Sequence, residues 1–208
     1  NILFYIDTLR AGGAEKVLRT LVNNLDQQVF DITVQTTEKT DPGAFLVPGI
    51  RYKSINHCKT RLGKKLMDCW IRLCAEGKLL YPLYIRGDYD IEVAYLECAP
   101  TKFLAASTNQ KALKLAWVHC DLEKKEDMAA QREKLLQQYA AYDRIVCVSE
   151  NVRDSFIRLF GMADRALVLH NVNDEDDIRQ KAVSFIPEKH SGTGMVAVGR
   201  LTRQKGFD

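Results

Sequence analysis

Gly12 and Gly13 stand between an apolar run, Ile2–Ile6, and apolar residues recurring as Val17, Leu18, Leu21, Val22 and Leu25. The run suits a strand buried on both faces of a parallel sheet, and the recurrence is that of an amphipathic helix. Two missing side chains at such a turn let a ligand reach bare backbone. The free N–H groups and the dipole at a helix start favour an anion such as a phosphate there. An ordinary strand-to-helix turn also carries glycines, and the pair matches neither GxGxxG nor the P-loop pattern. By itself it leaves both readings open.

The other chemistry-bearing residues gather where strands are expected to end. They are Glu97 to Pro100, His119 to Leu122, Ser149-Glu150 and His170-Asn171. His119, Cys120 and Asp121 are adjacent on one strand end, so their side chains diverge and fit a single metal ion poorly. The six cysteines show no CxxC pair and no zinc-like spacing. In runs such as Ile145-Val146-Cys147-Val148 they read as small hydrophobes, reduced thiols of a cytoplasmic protein.

The elements that must position these residues alternate. Strands are expected at Asp31–Thr37, at Gly49–Ile55 on a sheet edge, and at Asp90–Leu96, Lys114–His119, Arg144–Val148 and Ala166–Leu169. Helices are expected over Leu62–Ile85, from Pro100 to Ser107, over Asp127–Tyr142, and from a Ser149 N-cap to Phe160, closed by Gly161. Such alternation through about 170 residues is the signature of a doubly wound parallel sheet, a Rossmann-like α/β fold. Ligands bind such sheets at the carboxyl ends of the strands. From Asp174 the composition turns polar and reads as a helix and linker ending at Gly194. Met195–Gly199 then reads as a fresh strand, so the expected organisation is 1–174, a helix and linker over 175–194, and the start of a second domain at 195–208.

Composition excludes little. The chain has 208 residues, 46% apolar and 27% charged, with a formal net charge of +3. No apolar run approaches the roughly 18 residues of a membrane span, and no signal peptide is visible at the start. The stretch 59–86 stands out for Lys59, Arg61, Lys64, Lys65, Arg72, Lys78 and Arg86 interleaved with leucines, Trp70, Tyr81 and Tyr84. A core-packed helix with a solvated basic face accounts for it; an interfacial helix on anionic lipid accounts for it as well. A nucleic-acid partner is not expected, because the basic residues gather on one helix only.

Val198-Gly199-Arg200-Leu201-Thr202-Arg203-Gln204-Lys205-Gly206-Phe207-Asp208 resembles the loop that opens the second domain of the retaining GT-B glycosyltransferases of family 4. Four further blocks match that family in order: the Gly-Gly turn in AGGAEKVL, His119 in AWVHCDL, Ser149-Glu150 in a VSE strand end, and His170-Asn171-Val172-Asn173-Asp174. The resemblance implies a nucleoside diphosphate sugar donor held between two Rossmann-like domains, the first of which mainly holds the acceptor. Arg200 and Lys205 would then neutralise the departing diphosphate, which a preorganised cation stabilises, Arg by a two-point grip and Lys as a point charge. Gly12 and Gly13 would bring backbone N–H groups to the same diphosphate. His119 would sit by the transferred sugar, with Glu15 and Glu97 beside it on the acceptor side.

The family's paired glutamates lie in the second domain, past the last residue here, and Glu97 and Glu150 fall at the wrong place to replace them. The expectation is therefore an N-terminal fragment, inactive alone, whose orphan strand invites pairing with another chain. The whole enzyme is expected to move a sugar to a glycan or lipid-linked acceptor in cell-surface polysaccharide or glycolipid synthesis. It is expected to need no cofactor or metal and to work in the cytoplasm or on the inner face of the membrane. Two rivals stand beside this: a GT-B sugar-nucleotide epimerase, against which the VGRL…KG loop speaks, and a non-catalytic membrane- or glycan-docking module.

Overall fold

The structure, a computed structural model, describes residues 1–10, 12–58, 60–76, 79–125, 128–186 and 192–199. Its strands are β1 (Ile2–Ile6), β2 (Ile32–Glu38), β3 (Arg51–Asn56), β4 (Ile91–Ala94), β5 (Leu113–Val118), β6 (Arg144–Cys147) and β7 (Ala166–Val168). All neighbours run parallel, in the order β3-β2-β1-β4-β5-β6-β7. The connecting helices are α1 (Gly13–Asn24), α2 (Arg61–Glu76), α3 (Leu80–Tyr84), α4 (Ala99–Leu104), α5 (Met128–Tyr139) and α6 (Glu150–Phe160).

The centre of the sheet explains its sequence. Ile2 pairs with Ile32 on one side and Ile91 on the other, so β1 needs apolar side chains on both faces, and all five of its residues are buried. Strand alternation then sorts them. Ile2, Phe4 and Ile6 pack with Leu18 and Val22 of α1. Leu3 and Tyr5 pack in a second core with Tyr81, Phe103, Leu104, Tyr139 and Phe156, from α3, α4, α5 and α6. One face is thus covered by α1 and the other by the later helices. The strand order reverses between β1 and β4, which opens a crevice at their carboxyl ends. This is the doubly wound sheet expected, with β3 on an edge.

α6 follows its sequence closely. Ser149 Oγ accepts from the N–H of Val152 at 3.3 Å, and Gly161 closes the helix at φ 73°. That is a left-handed position, where a Cβ would be strained.

Two expectations are corrected. Leu62–Ile85 is not one helix: α2 ends at Glu76 and α3 begins at Leu80. Pro82 gives the reason. Inside a continuous helix its ring would clash with the preceding turn, whereas three residues into a new helix its missing N–H costs nothing. Met195–Gly199 is not a strand; Met195, Val196 and Val198 are at least nine-tenths exposed. A strand is held by its ladder, and this one has no neighbour among the described residues.

By its internal contacts the chain divides into two units, Asn1–Asn173 and Asp174–Asp208. In the second, α7 (Glu175–Ala182) buries none of its residues. Local interactions hold it instead. Asp174 caps the Asp177 N–H at 2.9 Å, and Arg179 and Lys181 reach back to Glu175 and Asp177 at 3.3 and 2.6 Å.

Candidate active site

β1, β4 and β5 are hydrogen-bonded neighbours, so the loops that leave their carboxyl ends share one edge of the sheet. At the β1 end, α1 starts at Gly13 after an extended Gly12, with no side chain capping the free N–H groups. A Cβ on Gly13 would meet nothing within 4 Å, so bare backbone faces open space there. Gly12 is different. A Cβ on it would fall 2.0 Å from a carboxylate oxygen of Glu15, which folds back over it. Glu15 therefore holds the negative charge at the head of α1 that an anionic ligand would supply.

Asp7 follows β1 and receives the Thr37 hydroxyl at 3.2 Å. Burial raises its carboxyl above the ordinary value; the Thr37 hydrogen bond opposes this, and the charges of Glu38 and Glu15 add to it. Arg10 answers Glu38 at 2.9 Å.

At the β4 and β5 ends, Glu97 joins two loops. Its Oε1 accepts the backbone N–H groups of His119, at 2.5 Å, and Cys120, at 2.9 Å. The next residue, Cys98, has φ 70°, a left-handed conformation that is costly for a side chain and concentrates at functional sites. Lys125 Nζ lies 3.5 Å from the Cys98 thiol. Burial and the Glu97 charge push the Cys120 thiol up to about 12, so it stays protonated at neutral pH. Asp121 accepts from Ser155 Oγ at 2.5 Å and is held anionic below the usual range, first by that bond.

His119 is the focus. Its Nε2 is buried and has no hydrogen-bond partner among the described residues, while the ring bonds to the backbone of Tyr95. In a neutral imidazole one ring nitrogen donates and the other accepts, so Nε2 can take either role toward a ligand. Burial lowers the His119 pKa below the ordinary 6.5, against the raising influence of Glu97 and of the Tyr95 bond. The ring is neutral at pH 7. Tyr95 and Trp117 pack beside it, with centroids at 4.9 and 6.5 Å. Tyr95 Oη and Trp117 Nε1 are also buried without partners among the described residues, so three unpartnered polar side chains share one face.

Gly12, Gly13 and Glu15 thus come together at the head of α1, and Glu97 and His119 meet across the next two strand ends. Ser149 caps α6, and Glu150 lies 3.7 Å from His170 on the neighbouring loop. Arg200 and Lys205 lie outside the described residues. Sequence reasoning missed Tyr95 and Trp117, although alternation along DIEVAYL and KLAWVH puts Val93, Tyr95, Leu115, Trp117 and His119 on one face. No sequence signal marked Cys98, since cysteine has no preference for positive φ. Among the described residues, no group of three or more His, Cys, Asp or Glu side chains could hold a metal ion.

The double acceptor role of Glu97 yields a prediction. Glu97→Ala leaves two backbone N–H groups without their partner, at a cost of about 1–3 kcal/mol, and frees the loop that carries His119. The melting temperature should fall, and Glu97→Gln, which keeps one acceptor oxygen, should recover most of it.

A family model described as Glycosyltransferase Family 4 matches residues 11–177. No curated protein matches the chain. Among solved structures, the fold is similar to that of Anabaena HepE crystallised with UDP and glucose, at TM-score 0.53 and 16% identity over 88% of this chain and 50% of that one. The HepE crystals with UDP-glucose and with UDP give TM-scores of 0.52 and 0.51, each at 16% identity over 87% of this chain and 49% of that one. At such identity the likeness is one of fold. The chain spans about half the length of the structures it matches.

Proposed function

The chain belongs to glycosyltransferase family 4, and from that premise we propose that it forms the acceptor-side half of a two-domain GT-B enzyme. That enzyme moves a sugar from a nucleoside diphosphate donor to a glycan or lipid-linked acceptor, with retention of configuration, in cell-surface polysaccharide or glycolipid synthesis. The supporting observation is the bare, buried Nε2 of a neutral His119. A ring nitrogen held without a partner among the described residues suits a sugar hydroxyl, which can donate or accept, and their hydrogen bond would orient the donor ring.

In the transfer the bond from the anomeric carbon to the diphosphate breaks, and one to the acceptor oxygen forms on the same face. The acceptor's proton leaves with the diphosphate. Arg200 and Lys205 would meet the developing negative charge, and the open backbone at Gly13 would meet it from the other side. Glu15 would swing from Gly12 to admit the diphosphate and turn to the acceptor. Glu97 would reach the acceptor with the oxygen that does not hold the His119 loop. This chemistry calls on no metal or cofactor, because side chains and backbone supply the positive charge. UDP-glucose bound to HepE makes a uridine nucleotide sugar the first donor to try. The test is sugar transfer by the full-length protein, with loss expected in the His119→Ala variant.

A membrane contact on the inner face is favoured by a separate observation. Leu62, Leu66, Trp70 and Leu73 of α2 are between 48% and 69% exposed. They follow three- and four-residue spacing along the side of the helix away from Ile71 and Cys74, which pack on the core. Arg61 and Lys65 lie toward one edge of this stripe, and Trp70 Nε1 donates to Tyr84 Oη at 3.0 Å, tying in α3. An outward apolar stripe with a basic edge suits an anionic interface. No helix among the described residues is long and apolar enough to cross a membrane. Sedimentation with anionic vesicles should fall about tenfold in a Leu66→Glu/Leu73→Glu variant. Equal sedimentation of the two proteins would remove the membrane reading.

A further inference from the structure

The same edge of the sheet carries a second concavity, away from His119. A cavity of about 330 Å³, inside the range of ligand pockets, opens where β2 and β3 end, roofed by the first turns of α2. Its charges do not balance internally. Arg10 and Glu38 neutralise each other at 2.9 Å. Lys39 and Lys64 also line it, and neither ammonium forms an ion pair among the described residues. His57 stands on the rim, and Asp68 is the remaining acid.

The floor is built rather than incidental. Asn56 is 6% exposed, its Oδ1 is taken by the N–H of Cys58 at 2.9 Å, and its Nδ2 has no partner among the described residues. A donor amide is thus fixed by its own oxygen and left to the cavity. The head of α2 points the same way. Thr60 caps it, with Oγ1 3.1 Å from the Gly63 N–H, yet the first turn carries no acid and instead has Arg61, Lys64 and Lys65. Cations at the positive end of a helix dipole are unfavourable, and a bound anion would offset that cost.

We infer that this cavity holds a phosphoryl group of the acceptor, between the ammonium groups of Lys39 and Lys64 and above the Asn56 amide. The inference rests on the acceptor-side reading above and names the acceptor's chemistry: a phosphate ester rather than a neutral glycan. The phosphoryl group can come from a soluble sugar phosphate or from a lipid phosphate.

Isothermal titration of the full-length protein without donor separates these. The probes are inorganic phosphate, glucose 1-phosphate and dihexanoyl phosphatidic acid, with dihexanoyl phosphatidylcholine as the control for the acyl chains. Saturable binding of the phosphate esters is expected, weakened roughly tenfold or more in Lys39→Ala/Lys64→Ala. His57→Glu, which sets a negative charge on the exposed rim, should weaken it as well. Tighter binding of phosphatidic acid than of glucose 1-phosphate assigns the lipid source, and the reverse order assigns the soluble one. No binding by the native protein, or equal binding by both variants, overturns the proposal. Because no donor is present, that failure would leave the transferase reading standing, to be judged by turnover alone.

Discussion

Replacing His119 by alanine should lower kcat by about two to three orders of magnitude, with a much smaller effect on donor KM. The expectation follows from geometry. The ring packs beside Tyr95 and Trp117, and its Nε2 is buried with no hydrogen-bond partner among the described residues. Alanine removes that nitrogen and leaves Tyr95 and Trp117 lining an empty space. The pH profile checks the same point. Burial holds the His119 pKa below 6.5, so the neutral ring proposed to meet the substrate persists as pH falls through 6.5. The acid limb of kcat/KM should therefore lie below that value. Stability moves in the same direction. A base whose folded pKa is depressed takes its proton more readily when unfolded, so its stabilising contribution is complete above 6.5 and is lost as pH falls below it. An acid limb above 6.5, or full activity in His119→Ala, would remove His119 from the reaction.

The fold was legible in the sequence because parallel sheets bury both faces of their strands. Ile2–Ile6 had one polar group to place, the Tyr5 hydroxyl, which pairs with Thr37 Oγ1 at 2.8 Å, and the three-and-four spacing from Val17 to Leu25 left α1 one face to bury. Ser149 and Gly161 marked both ends of α6 by chemistry that acts within one turn. Errors came where distant or absent partners decide. Met195–Val198 has a strand's composition, but a ladder requires a second strand. Leu62–Ile85 carried its own warning in Pro82, whose steric effect outweighs an unbroken apolar periodicity.

The site was legible in part. Gly13 and His119 could be placed at strand ends from the alternation of elements. That Glu97 would spend one oxygen on two backbone N–H groups could not be seen, because the bond joins loops 22 and 23 residues apart. The collapse of Glu15 over Gly12 is likewise a matter of side-chain direction, on which spacing is silent.

Arg200 carries the other large expectation. In the proposed reaction it would grip the diphosphate as charge develops there, and that charge would be greatest in the transition state. Its removal should therefore fall on kcat rather than on donor binding, by about 10²–10³-fold. Lysine at the same position would keep the charge and lose the two-point grip, recovering only part of the rate.

The most direct test of the account is sugar transfer by the full-length protein, screened across nucleoside diphosphate sugars beginning with UDP-glucose, beside the Arg200→Ala variant. The account predicts turnover with at least one donor and a loss of about 10²–10³-fold in the variant. No turnover with any donor, or turnover indifferent to Arg200, would contradict it.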